Sequence, residues 1–179
     1  MRKLQFILLF LMIAGCAQQA PLQTEEITLT NQNMKLSSSA FENDSDIPSQ
    51  YTCDGQDINP NLKVEDVPQD AVSLVLIVDD PDAPVGDWVH WTLWSIPADI
   101  SEISENSVPH GATEGLTDFG RSGWGGPCPP SGTHRYYFKL FALDIDLILD
   151  HSAKKADILD AMKGHIVDQT ELIGLYQRN

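Results

Sequence analysis

The sequence predicts a mainly β protein, a β-sandwich with a few peripheral helices, on three observations. The run Val72-Ser73-Leu74-Val75-Leu76-Ile77-Val78 is almost wholly apolar and β-branched without alternation, as a strand buried on both faces is. Residues 88–96 and 135–143 instead alternate with period two, the mark of strands with two unlike faces. Only 150–163 carries apolar residues at helical spacing, so strands outnumber helices and the layers must be mostly sheet.

The chain has 179 residues, enough for one domain that buries most of the surface of its unfolded state. Its 11 Lys and Arg against 26 Asp and Glu give a net charge of −15, a field that repels nucleic acid and anionic lipid at long range. A nucleic-acid partner is thereby disfavoured. The acids are spread along the chain, as on an ordinary solvated surface.

Residues 1–15 read as an export signal: Met1-Arg2-Lys3 supply positive charge, and the apolar stretch 4–13 is too short to span a bilayer. Ile13-Ala14-Gly15-Cys16 resembles a bacterial lipobox, so Cys16 is expected to become the lipidated first residue of the mature chain. Two or three acyl chains, at about 0.8 kcal/mol per buried methylene, anchor a soluble domain stably. Loss of 1–15 removes two basic and no acidic residues and moves the charge from −15 to −17. Residues 16–33, rich in Gln, Thr and Glu, read as a tether, which leaves 34–179 as the folded domain. The expected location is the cell envelope, and in a two-membrane bacterium the periplasmic face of the outer membrane, because Ala17 rather than Asp follows the cysteine.

Lipidation of Cys16 leaves Cys53 and Cys128, an even pair in an oxidising compartment, as either one disulfide or two buried thiols. A zinc site is disfavoured, since neither belongs to a C-x-x-C pair.

Along the domain, 34–39 opens the sheet and 48–60 is rich in turn formers. The buried strand ends in Asp79-Asp80-Pro81-Asp82-Ala83-Pro84, where three acids and two prolines mark the exit from the core. A sharp reversal there is needed to bring Asp80 near His90, and a cis Ala83–Pro84 bond is expected to supply it. Period two over 88–96 puts Trp88, His90, Thr92 and Trp94 on one face. Residues 97–119 read as a long surface excursion, and 120–132, with five glycines and three prolines, as a segment bringing backbone close to a ligand or another loop. The strand 135–143 follows, then a helix over 150–163 capped by Ser152, stopped by Gly164 and carrying Ala156, Leu159 and Met162 at helical spacing. A last strand covers 171–178.

Two loop-to-strand junctions repeat one design, and here the sequence resembles a known family. Asp80-Pro81-Asp82-Ala83-Pro84 with Trp88-Val89-His90, and then Gly126-Pro127-Cys128-Pro129-Pro130-Ser131-Gly132-Thr133-His134-Arg135-Tyr136, look like the two signature regions of the phosphatidylethanolamine-binding proteins. Cys53-Asp54-Gly55, Asp118-Phe119-Gly120-Arg121 and Gly164-His165 resemble its bacterial Raf-kinase-inhibitor-like branch. The resemblance implies a β-sandwich with a small pocket for phosphate, acetate or a phospholipid headgroup, with no cofactor, and a role in regulating partner proteins as kinase or protease inhibitors do. It places Asp80, Asp82, Pro84, Trp88, His90, Pro130, His134 and Tyr136 at the pocket. The residue chemistry agrees: two imidazoles and a phenol offer donors to oxyanions, and Asp80 holds a histidine tautomer or favours its charged form. Taken singly, Asp82 equally reads as a turn cap and Arg135 as a brace for the acidic turn. Two other classes compete: a hydrolase using Ser131 or a histidine-activated water, which lacks a Gly-x-Ser-x-Gly elbow, and a metal enzyme built on two histidines and an aspartate.

Overall fold

The computed structural model describes residues 34–178. The expected signal, the lipidation site Cys16 and the whole of the tether lie outside the described residues. The elements are β1 (Lys35–Ser37), β2 (Ser45–Asp46), β3 (Leu62–Glu65), β4 (Ser73–Asp80), β5 (Trp88–Pro97), β6 (Glu102–Ile103), β7 (Thr113–Glu114), β8 (Thr133–Leu143), α1 (Lys155–Met162) and β9 (Ile166–Gln177), with a 3₁₀ turn at Ser49–Tyr51. They form two sheets, β1-β3-β6 and β2-β9-β8-β4-β5-β7.

The sheets face each other across the main core. Leu36, Leu62, Val64 and Ile103 of the small sheet meet Leu74, Leu76, Val78, Trp91, Leu93, Phe138 and Leu140 of the large one. On the outer side of the large sheet, Val75, Ile77 and Trp94 pack against Ile158 and Met162 of α1. Strand β4 thus has an apolar layer on both sides, and all eight of its residues are buried. That double burial is why its sequence does not alternate.

Strand β5 carries a bulge that decides the pocket. Val78 lies opposite Trp91 but Asp79 lies opposite Val89, so His90 is the extra residue. A bulge puts two successive side chains on the same side. His90 meets Tyr136 on the inner face while Trp91 and Leu93 join the inner core; Trp94 belongs to the outer one. The expected single face of Trp88, His90, Thr92 and Trp94 is therefore split: Thr92 and Trp94 face the helix side. A second irregularity at Ser95, with φ 54°, returns Ile96 to the inner core.

Helix α1 is shorter than the pattern suggests and turned differently. Lys154 occupies the N-cap position and the Asp157 carboxylate accepts its backbone N–H at 2.9 Å, whereas the Ser152 N–H belongs to a turn closed by Asp150. Ile158 and Met162 are buried, and Leu159 is 39% exposed. The excursion 97–119 contributes two short strands, β6 to the small sheet and β7 to the edge of the large one. The last strand begins earlier than expected, at Ile166, because it pairs with the whole length of β8.

Among the described residues there is no cis peptide bond, which corrects the expectation at Ala83–Pro84. The reversal is made by a turn in which the Gly86 N–H donates to the Ala83 carbonyl at 2.9 Å and Gly86 takes φ 102°, a conformation open to glycine.

Candidate functional site

At the end of β4 two neighbouring carboxylates point to opposite faces. Asp79, fully buried on the outer face, accepts from Lys139 Nζ at 2.8 and 2.9 Å and from Lys155 Nζ at 2.5 Å; Lys155 also pairs with Asp87. This network ties β8, α1 and the end of the acidic turn to one strand end. Asp80 faces inward. Its Oδ2 accepts from His134 Nδ1 at 2.7 Å and its Oδ1 from the Asp82 N–H at 2.8 Å, so both oxygens are engaged in positioning.

The second wall is the loop between β7 and β8. Asp118 is pinned to Val89 of β5 in both directions, its carboxylate accepting the Val89 N–H at 2.8 Å and its own N–H donating to the Val89 carbonyl at 3.2 Å. Phe119 is thereby placed edge-on to Trp88 and to His90, with ring centroids 5.5 and 5.4 Å away. A Cβ on Gly125 would sit 2.4 Å from the Phe119 ring, so only glycine permits this approach. The approach brings the Gly125 carbonyl to 2.5 Å from His90 Nδ1, while the Gly125 N–H donates to the His90 carbonyl at 3.1 Å. Cys53 and Cys128 are joined as a disulfide with Cα atoms 5.4 Å apart, and the Cys53 N–H donates to the Pro127 carbonyl at 3.1 Å. Segment 126–130 is so fastened to the 3₁₀ turn region.

These walls enclose a cavity of about 180 Å³, mostly apolar at its surface. Asp80, Pro84, Trp88, His90, Pro130, His134 and Tyr136, seven of the eight residues named from the sequence, line it. Asp82 does not. Its carboxylate is gripped by Arg135, with Nε at 2.8 Å, Nη2 at 2.7 Å and the backbone N–H at 3.0 Å, and this bidentate pair holds the carboxyl down at about 2. Asp82 and Arg135 therefore brace the turn, which is the alternative that the isolated residues left open. Five further residues line the cavity: Ala83, Val85, Phe119, Cys128 and Pro129. Of these Phe119 lay within a motif visible in the sequence, Asp118-Phe119-Gly120-Arg121, but nothing local says that a loop phenylalanine reaches a pocket.

The polar groups of the cavity are unequal. Burial pushes the His90 imidazole below its ordinary value, against the opposing pull of the Gly125 carbonyl and the Asp80 carboxylate. Burial and then the Asp80 charge push the Tyr136 phenol far up, so it stays a neutral hydroxyl; the Cys128 N–H opposes this shift from outside hydrogen-bond geometry. That hydroxyl is buried with no hydrogen-bond partner among the described residues. A buried orphan of this kind costs about 1–3 kcal/mol unless something satisfies it. Among the described residues no group of three or more His, Cys, Asp or Glu is gathered for a metal ion, and Ser131 sits exposed on the turn before β8.

The comparisons with known proteins agree with this architecture. A family profile described as phosphatidylethanolamine-binding protein matches residues 37–177. A UPF0098 protein of Methanothermobacter thermautotrophicus is 49% identical over 150 residues, covering 81% of this chain and 99% of its own. The crystal structure of a phosphatidylethanolamine-binding protein homologue from Chlamydia trachomatis superposes with a TM-score of 0.80 at 40% identity, over 83% of this chain and 100% of that one. Escherichia coli YbcL, described as a member of the mammalian family, gives a TM-score of 0.77 at 28% identity over 82% and 99% of the two chains. With the family profile spanning nearly all of the described sandwich and close relatives matched over almost their full length, this chain belongs to the phosphatidylethanolamine-binding protein family.

Proposed function

We propose that this protein is a non-catalytic binding module for a small anion or phosphorylated headgroup, carried on the cell envelope by a lipid on Cys16, through which it acts on a partner protein. The observation that carries the reading is the Tyr136 hydroxyl, buried and unpartnered beside His90 and His134 in one cavity. Both imidazoles commit Nδ1 to protein acceptors, so each has only Nε2 left for a ligand. Three polar atoms set in apolar walls suit a compact tetrahedral anion.

Size narrows the ligand. Pockets for drug-sized molecules run from about 300 to 1,000 Å³, and about 180 Å³ admits a headgroup but not an acyl chain. Val85 and Phe119 at the rim, 79% and 40% exposed, offer an apolar collar for whatever the headgroup carries. The net charge of −15 opposes anion capture at long range, so affinity must come from local donors and be modest.

Calorimetric titration of the wild type, His90→Ala and His134→Ala with phosphate and phosphoethanolamine tests the reading. We expect binding in the wild type and at least tenfold loss in each variant, with unchanged circular dichroism. Wild-type affinity in both variants would place the ligand elsewhere.

A further inference from the structure

The two histidines differ in what they can offer once their Nδ1 partners are counted. A carbonyl oxygen only accepts, so the contact of His90 Nδ1 with Gly125 O at 2.5 Å fixes the proton on Nδ1. In the neutral ring Nε2 then carries a bare lone pair. The same count gives His134 a proton on Nδ1, donated to Asp80 Oδ2 at 2.7 Å, but there the acceptor is a carboxylate in salt-bridge contact with the ring rather than a neutral carbonyl. His90 has no such carboxylate in contact.

We propose that His134 is the donor and His90 the acceptor of the site, so that the preferred ligand is a tetrahedral oxyanion that keeps one O–H, as inorganic phosphate does at neutral pH and sulfate does not. This rests on the anion-pocket reading and names the ligand class within it. The Tyr136 hydroxyl supplies a second donor to the anionic oxygens, and the ligand's own O–H donates to His90 Nε2. A proton-free oxygen at that position would set lone pair against lone pair in a buried setting, where electrostatic mismatch is poorly screened.

The groups around His90 support its staying neutral. From β5 and the facing loop it meets the Phe119 ring and the Gly125 carbonyl, and from β8 the Tyr136 ring at 5.1 Å. Asp80 and Asp79 of β4 and Asp57 act on it only as more distant charges, and burial outweighs all three, holding the imidazole below its ordinary value. Around His134 stand Asp80 in contact, Tyr136 on its own strand and Tyr176 opposite on β9; Asp82 is occupied by Arg135.

Phosphate and sulfate, nearly equal in size and differing in the proton, are the probes. At pH 7 we expect inorganic phosphate to bind the full-length protein at least tenfold more tightly than sulfate. At pH 5 the deficit of sulfate should shrink, since a protonated His90 then offers it an N–H. His90→Gln, whose amide presents an N–H, should reduce the preference for phosphate to under threefold at pH 7. Equal affinities for the two anions in the wild type at pH 7 would overturn the assignment while leaving the pocket reading intact. Binding of neither anion at millimolar concentration would overturn both.

Discussion

Cutting the Cys53–Cys128 bond is the perturbation whose size follows most directly from the fold. The bridge closes a loop with a sequence separation of 75 residues. In the chain-entropy treatment a loop of that length restricts the unfolded chain by about 4.5 kcal/mol at 25 °C. For a domain of this size about 3–4 °C of melting temperature accompanies each kcal/mol, so Cys53→Ala/Cys128→Ala should melt about 15 °C below the wild type. Binding should suffer less. The pocket wall stays fastened by the Cys53 N–H on Pro127, the Gly126 N–H on Asp57 Oδ1 at 2.6 Å and Trp124 Nε1 on the Tyr51 carbonyl at 3.2 Å, so the affinity for phosphate should fall by less than tenfold. Thermal melts of both proteins, with and without reductant, and calorimetry on the double variant decide it. A double variant within 1 kcal/mol of the wild type, or two titratable thiols in unreduced unfolded protein, would refute the argument.

Lys155→Met leaves the buried Asp79 carboxylate with Lys139 alone and should destabilise the protein by about 2–3 kcal/mol in urea titrations, below the ~3–5 kcal/mol of a wholly stripped buried charge; a change under 0.5 kcal/mol would show that the helix does not depend on this pair. Gly125→Ala must displace Phe119 from 2.4 Å and should cost about 1–3 kcal/mol, and phosphate titration should show weakened binding as the carbonyl leaves His90. Because the folded state lowers the His90 value, its contribution to stability is complete above the unfolded value of about 6.5 and is lost as the pH falls below it. His90→Gln should therefore flatten the decline of the urea midpoint between pH 6.5 and 5, and identical slopes in both proteins would contradict the burial argument. Cys16→Ser should move the protein from the membrane to the soluble fraction, and retention at the wild-type level would rule out the lipid anchor.

What the sequence made legible was whatever depends on neighbours along the chain. The almost wholly apolar run announced a doubly covered β4, the alternation announced β8, and the ordered motifs grouped Asp80, His90, His134 and Tyr136. What escaped depends on partners far away in sequence. Asp82 looked like a pocket carboxylate until Arg135, on β8, claimed both of its oxygens. Phe119 sits in a loop with no periodicity, and only the anchoring of Asp118 to β5 turns its ring toward His90. The helix was seen but its face was not, because Ile158 and Met162 share a stripe that is no more apolar in sequence than the one holding Ala156 and Leu159; the outer layer of the sheet chooses between them. The sharp turn was correctly required, yet it is made at Gly86 rather than at the proline bond.

The extra residue in β5 has a consequence for how such a pocket can change over time. Directly downstream of His90 the strand is held in step with the large sheet, because Trp91 and Leu93 fill fixed places in the inner core, to which Ile96 returns past the irregularity at Ser95. Upstream, the bulge has already broken that step, so Trp88 and His90 follow a phase of their own. A strand without the irregularity would transmit any gain or loss of a residue at its mouth into the packing of every residue behind it. Here a one-residue change ahead of Trp91 ends at the bulge. The mouth of the pocket can therefore be lengthened, shortened or re-aimed for a different ligand while the hydrophobic interior keeps its register, and selection can act on recognition without reopening the question of folding.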